Sequence, residues 1–260
     1  MKKLQHTHLV NPSPWPITGA MSAMMMTLST VIMMYKKNNT MMMMATTLSM
    51  ITFFSWSKDI LTESSMEGQH SKKTSSTLKL GMILFIVSEV FLFVSMFWAF
   101  FHSSMSPSME VGMIWPPKNI FPFNYEEIPM TNTIILVSSG GTLTMSHHLL
   151  LKKSIKMSAT MLMITVNLGI TFTAMQLIEY MESKFSINDS VFGASFFMAT
   201  GLHGAHVIVG STFLTVVLFQ MKNLKSMTYQ FLSFEMAAWY WHFVDVVWLF
   251  LLISIYWWGS

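Results

Sequence analysis

Seven apolar stretches, near residues 15–35, 41–57, 78–103, 131–151, 157–181, 191–221 and 232–258, recur along the chain with Lys, Pro, Asn and Ser between them. A helix rises about 1.5 Å per residue, so about 20 apolar residues cover the roughly 30 Å of hydrocarbon in a bilayer. In that solvent a backbone must satisfy its own hydrogen bonds, which a helix does and an open strand does not. The expected fold is therefore all-α integral membrane, with seven transmembrane helices and the termini on opposite sides. With 52% hydrophobic and only 10% charged residues, the composition lies far from that of a soluble domain. The start, MKKLQHTHLVNPSPWP, lacks the pattern of a removable signal, so the first span is expected to target itself.

Composition also excludes several chemistries. Cysteine is absent, which removes disulfides, thiolate metal sites, iron–sulfur clusters and cysteine nucleophiles. All 15 basic residues are lysines, and the net charge of +3 is scattered over loops, so nothing offers the guanidinium fork that favours nucleic acid. No Gly-rich phosphate loop, Ser/His/Asp set or HExxH occurs. The 29 methionines come in runs such as Met24 to Met26 and Met41 to Met44, without polar surroundings or regular ligand spacing. They read as apolar gap-fillers rather than copper ligands.

Lysines set the expected orientation, because basic residues stay on the side from which helices insert. Eleven of them (2, 3, 58, 72, 73, 79, 152, 153, 156, 222, 225) fall on the N-terminal side of this arrangement and four (36, 37, 118, 184) on the other. The N-terminus is thus expected inside. The polar connection 58–77 divides the chain into an N-terminal segment, 1–77, with helices 1 and 2, and a five-helix bundle, 78–260. Residues 104–130 contain WPPKNIFPFNYEEIP, whose prolines favour an extended loop. Internal repeats, which would suggest an inverted-repeat transporter, are not evident.

The polar residues inside the apolar stretches carry the functional question. Glu89 falls near the middle of the third, where a carboxylate is costly and must be neutralised, partnered or near water. Gly81, Ser88, Ser95 and His102 recur every seven residues beside it, a stripe expected to face another helix. In GLHGAHVIVG, His203 and His206 share one face of the sixth, and Gly201, Gly204 and Gly210 would let helices approach closely. Haem or metal ligation is one reading, and hydrogen-bonded packing histidines the favoured one. Glu235, Ala238, His242 and Asp245 fall at i, i+3, i+7 and i+10, a stripe expected to face the bundle as buried polar packing. A His242–Asp245 pair could hold a metal with His203 or His206, or join as a hydrogen bond, the favoured reading. His147, His148 and Glu179, near span ends, are expected at the interface.

HLVNPSPWPITGA (8–20), GMILFIVSEV, FWAFFHSS, GMIWPP, FGASFFMATGLHGAHVIVGSTFL (192–214) and AAWYWHFVDVVWLFLLISIYWWGS (237–260) together resemble, almost end to end, the subunit III family of the mitochondrial haem–copper cytochrome c oxidases. The resemblance implies two sub-bundles, helices 1–2 and 3–7, with a lipid-holding cleft, and a matrix-side N-terminus in the mitochondrial inner membrane. It implies no redox cofactor or metal in this chain, haem and copper being held by partner subunits I and II. The implied role is to stabilise subunit I, hold phospholipids and support proton uptake. Glu89 matches the family's intramembrane glutamate, and His70 and Glu63 match positions near lipid headgroups. Lys58 and Lys222 belong to the same lipid-facing set, although Lys58 and Lys79 stand where the family usually has arginine and Thr62 replaces another. Two other functions compete: a stand-alone proton-coupled transporter using Glu89 and Asp245, and a haem-carrying membrane enzyme using His203, His206 and His242.

Overall fold

In the computed structural model, which describes residues 12–37, 39–65, 71–109, 112–223 and 230–259, every regular element among the described residues is a helix. The helices are α1 (Trp15–Lys36), α2 (Thr40–Ser65), α3 (Lys72–Met105), α4 (Ile128–Leu151), α5 (Ile155–Glu182), α6 (Ser190–Asn223) and α7 (Gln230–Leu251), the last continuing as a π-helical segment, Leu252–Trp257. Six of them, all but α2, are long and apolar enough to cross a membrane. α2 is long enough at 26 residues, but its final turns carry Lys58, Asp59, Thr62 and Glu63.

The same turns correct the expected connection at 58–77. Helix continues through Ser65 and resumes at Lys72. Apolar sequence measures the hydrocarbon a helix crosses, whereas the helix itself runs on into polar surroundings, and at 34 residues α3 is about 51 Å long.

By contacts the chain forms two compact units, Met1–Leu78 and Lys79–Ser260. In the first, α1 and α2 pack through small residues: Ser22, Ser29, Ala45 and Thr52 are buried, and Gly19 admits the Trp56 ring. Trp15 Nε1 donates to Asp59 at 2.5 Å, joining the start of α1 to the far end of α2. Met24, Met25, Met41, Met43 and Met44 are exposed, so they coat the outside of this pair instead of filling gaps. Met26 and Met42 are partly buried, the Met42 sulfur lying 3.3 Å from the Ser29 hydroxyl.

The second unit is built around α7. Half of its most apolar segment is buried, against 6% for α3. Trp241, fully buried, lies against Gly169 of α5 and Gly210 of α6 and donates through Nε1 to Ser139 of α4 at 2.9 Å. Two turns on, Trp248 donates to Thr133 of α4 and meets Phe172 of α5 edge to face. α4 and α5 are joined along small polar residues: Ser146 and Ser158 each donate to the other's backbone carbonyl, and Thr142 bonds Thr165 at 2.8 Å. Such interfaces suit a membrane, where close backbone approach replaces the missing hydrophobic drive between helices. Of Gly201, Gly204 and Gly210, only Gly210 is used this way, for Gly204 faces open space and Gly201 meets only the Tyr180 hydroxyl, at 3.9 Å.

A Cβ added at Gly169 would stand 2.6 Å from Trp241 Cη2, while one at Gly204 would meet nothing within 4 Å. Gly169→Ala is therefore expected to destabilise the chain by about 1–3 kcal/mol, and Gly204→Ala to be neutral or slightly stabilising. Thermal denaturation in mild detergent compares them, and indistinguishable behaviour would contradict the packing of α5 on α7.

Candidate functional site

α3 turns inward the face that contains Met82, Ile86, Glu89, Phe93, Met96, Phe97 and Phe100, spaced by three and four residues as one helical stripe requires. Glu89 lies about 25 Å along the axis from either end of α3. Its Oε2 is 2.9 Å from Nε2 of His206 on α6. The other ring nitrogen, Nδ1, is 2.7 Å from the Leu202 carbonyl oxygen one turn earlier. A carbonyl only accepts, so Nδ1 must carry a hydrogen. Nε2 then either accepts from a protonated Glu89 or, as imidazolium, donates to its carboxylate. An ionised Glu89 facing a neutral ring would set two lone pairs against each other. The contact therefore requires at least one proton between Glu89 and Nε2.

The surroundings are aromatic: Phe93, Tyr240 and Phe243 ring the imidazole, with centroids 5.1, 6.2 and 6.4 Å away. Side-chain exposures of 18% for Glu89 and 11% for His206 leave the pair at the edge of the unit, shielded but not sealed. Within this unit no helix covers the seven-residue stripe beside it. Gly81, Ser88, Ser95 and His102 are all exposed, and the two serine hydroxyls turn back to Phe85 and Leu92 carbonyls. Small polar residues that satisfy themselves locally need no partner helix.

The remaining sequence candidates do not converge. His203, three residues before His206, is 1% exposed and lies between Phe172 and Trp248, with neither ring nitrogen partnered among the described residues. Asp245 and His242 turn toward α4, where a Cβ on Gly140 would stand 2.9 Å from Asp245 Oδ2, and the two lie 3.7 Å apart, too far for a hydrogen bond. The His242 side chain is 42% exposed, so it is not buried packing. Glu235 is half-buried and pairs with Lys79 of α3. The deepest face of α7 is Phe234, Ala237, Trp241, Val244 and Trp248, so the stripe from Glu235 to Asp245 flanks that face. Among the described residues no group of three or more His, Asp or Glu is placed to hold a metal ion. Glu89 and Asp245 sit in separate surroundings, which leaves the transporter reading without a common site.

Of the lipid-facing set, Lys58 is exposed and Glu63 partly exposed on the last turns of α2. His70 and the side chain of Lys222 lie outside the described residues. Glu179 corrects an expectation: far from interfacial, it is 0% exposed. The sequence did contain the signal, because Ser158, Leu162, Thr165, Gly169, Phe172, Gln176 and Glu179 continue one buried stripe of α5.

The family described as cytochrome c oxidase subunit III matches residues 5–260. The chain belongs to that family. Cytochrome c oxidase subunit 3 of Felis catus is 49% identical over 253 residues and that of Bos taurus 48% identical over 253, with 97% of each chain covered in both comparisons. The protein of that name from Tachyglossus aculeatus aculeatus is 49% identical over 258 residues, again with 97% of each chain covered. The subunit III family thus accounts for nearly the whole length of the chain, with sequence from both units included.

The shared proton makes a specific demand on substitutions. Glu89→Gln retains a donor toward Nε2, so assembly and most turnover of the oxidase are expected to survive. Glu89→Leu strands the imidazole and is expected to cost about 1–2 kcal/mol, read as earlier thermal loss of the chain from the complex. Equal behaviour of the two variants would rule out the shared-proton geometry.

Proposed function

We propose that this chain is a non-redox core subunit of the mitochondrial respiratory cytochrome c oxidase, the enzyme that moves electrons from cytochrome c to oxygen while pumping protons. In this reading all seven helices cross the inner membrane with the N-terminus toward the matrix, as the lysine distribution favours. The chain is enzymatic only as part of the complex: haem and copper belong to subunits I and II, and this subunit stabilises subunit I, holds phospholipid and supports proton uptake. Glu63, Lys58, His70 and Lys222 would meet headgroups. Lysine there supplies charge without the two-pronged geometry of arginine.

The observation that carries the lipid role is a groove along α3 and α7. It has a volume of about 690 Å³, and Val90, Phe93, Phe97, Met105, Phe250 and Trp258 are among its walls. From Val90 to Met105 it follows α3 for about 22 Å, longer than one leaflet's roughly 15 Å of hydrocarbon. One acyl chain fits that shape, with Glu89 one residue beyond its inner end. A hydrogen-bonded acid–imidazole pair is better tolerated beside such a neighbour than a lone carboxylate. His206 meets both Glu89 and the Leu202 carbonyl, and His203 lies against Phe172 and Trp248, an arrangement that favours packing over haem ligation.

Filling the groove with Val94→Trp and Val246→Trp tests this role in the purified oxidase. Fewer tightly held phospholipids and faster loss of activity during turnover are expected, with the haem and copper content of the complex unchanged. A wild-type lipid count and lifetime would overturn the lipid role. Failure of the chain to co-purify with the larger haem–copper subunits would overturn the assignment itself.

A further inference from the structure

Beneath the end of the second unit opposite the α4–α5 turn lies a group of polar side chains that the proposed role does not use. Asn132 enters from the second turn of α4, Gln176 and Glu179 from the last turns of α5, and Tyr256 from the π-helical segment after α7. All are buried: Asn132 and Glu179 are 0% exposed, Tyr256 2% and Gln176 5%. Asn132 Nδ2 reaches Gln176 Oε1 at 3.4 Å, and Gln176 Nε2 reaches the Tyr256 hydroxyl at 3.5 Å, both at the long limit of a hydrogen bond. Glu179 faces Tyr256 and Gln176, yet both of its oxygens, and Asn132 Oδ1, lack a partner at hydrogen-bonding geometry among the described residues.

Three buried acceptors without donors are costly in any protein and more so within a membrane. Two complementary devices remove that cost. A proton on the carboxyl removes its charge and turns one acceptor into a donor. No lysine or histidine lies within ion-pair distance of Glu179 among the described residues, so no cation there offsets a carboxylate charge. A water molecule both donates and accepts, so one bound between the carboxyl and Asn132 Oδ1 satisfies two acceptors together.

Solvent also comes close to this group. Glu179 is three residues from the end of α5, about 4.5 Å along the axis. Just beyond it, an open surface depression of about 640 Å³ is lined by Ser183, Lys184, Ser186 and Asp189, with Tyr180 in its wall. Tyr180 also interacts with Gln176 and Glu179, and its hydroxyl donates to Thr200 of α6 at 2.7 Å. It stands between the depression and the buried group.

We propose that Asn132, Gln176, Glu179 and Tyr256 form a buried water-binding site that holds one exchangeable proton on the Glu179 carboxyl, supplied from the surface depression past Tyr180. The ligand is water and the exchanging species a proton. Because the site includes neither Glu89 nor any residue lining the α3–α7 groove, its failure would leave the subunit assignment untouched.

Infrared spectroscopy of the intact oxidase provides the test. The wild-type minus Glu179→Gln difference spectrum is expected to contain one carboxylic-acid C=O band, which moves to lower frequency after transfer to heavy water. Glutamine keeps the size and polarity of the acid, so the variant is expected to assemble. In the wild-type complex, a water O–H band sensitive to oxygen-18 water is expected, and Asn132→Leu should remove it. Carboxylate bands in place of the acid band would overturn the proton, and an acid band unmoved by prolonged heavy-water exchange would overturn the route. An oxygen-18 response identical in wild type and Asn132→Leu would overturn the water.

Discussion

The second unit depends on one side chain finding two missing ones. Trp241 occupies the space that Cβ atoms would take at Gly169 and Gly210 and spends its single donor on Ser139, so it fixes α4, α5 and α6 around α7 at once. Lipid tails are as apolar as leucine, so no hydrophobic gain draws these helices together, and close packing with directed hydrogen bonds must do so. A large ring set against glycine maximises the first, and indole to serine supplies the second. The reciprocal Ser146–Ser158 bonds repeat that logic nearer the lysine turn between α4 and α5.

Around this frame the ionisable side chains use different means of tolerating low dielectric. Glu89 and His206 share a proton across α3 and α6, so each polar group meets a partner where lipid or apolar side chains would offer none. Lys79 and Glu235 pair while partly exposed near the starts of α3 and α7, where water softens both the attraction and the cost. Asp245 rests in the recess left by Gly140, close to His242 but not bonded to it. α3 has little backbone packing of its own and is held to the bundle by such side chains and by Phe93 and Phe100. Its remaining faces present Leu84, Phe91 and Trp98 outward, as a helix at a lipid boundary would.

Much of the candidate site was visible as residue types and little of it as geometry. Glu89 declared itself because a single acid in a long apolar run has no other explanation than a partner or a proton. Its partner did not, since His203 and His206 looked equivalent at three residues apart, and the 300° between them sends one toward Phe172 and Trp248 and the other toward α3. The small-residue stripe of α3 gave no partner within the unit, because Ser88 and Ser95 can satisfy their hydroxyls on their own helix. Glu179 was mistaken for an interfacial group because its distance from the helix end was weighed and the buried stripe running through it was not.

By itself the sequence determined the class of solvent, the helical fold and the approximate helix positions, because hydrocarbon thickness and backbone hydrogen bonding are properties of any chain in a bilayer. Its motifs also carried the family. Only the tertiary structure decided which polar groups meet: Glu89 with His206 over 117 positions of chain, Trp241 with Ser139 over 102, Gln176 with Tyr256 over 80. Helical periodicity ranks the faces within one helix, but it holds no information on which neighbour a face meets or at what height. Those are set jointly by all the packed helices.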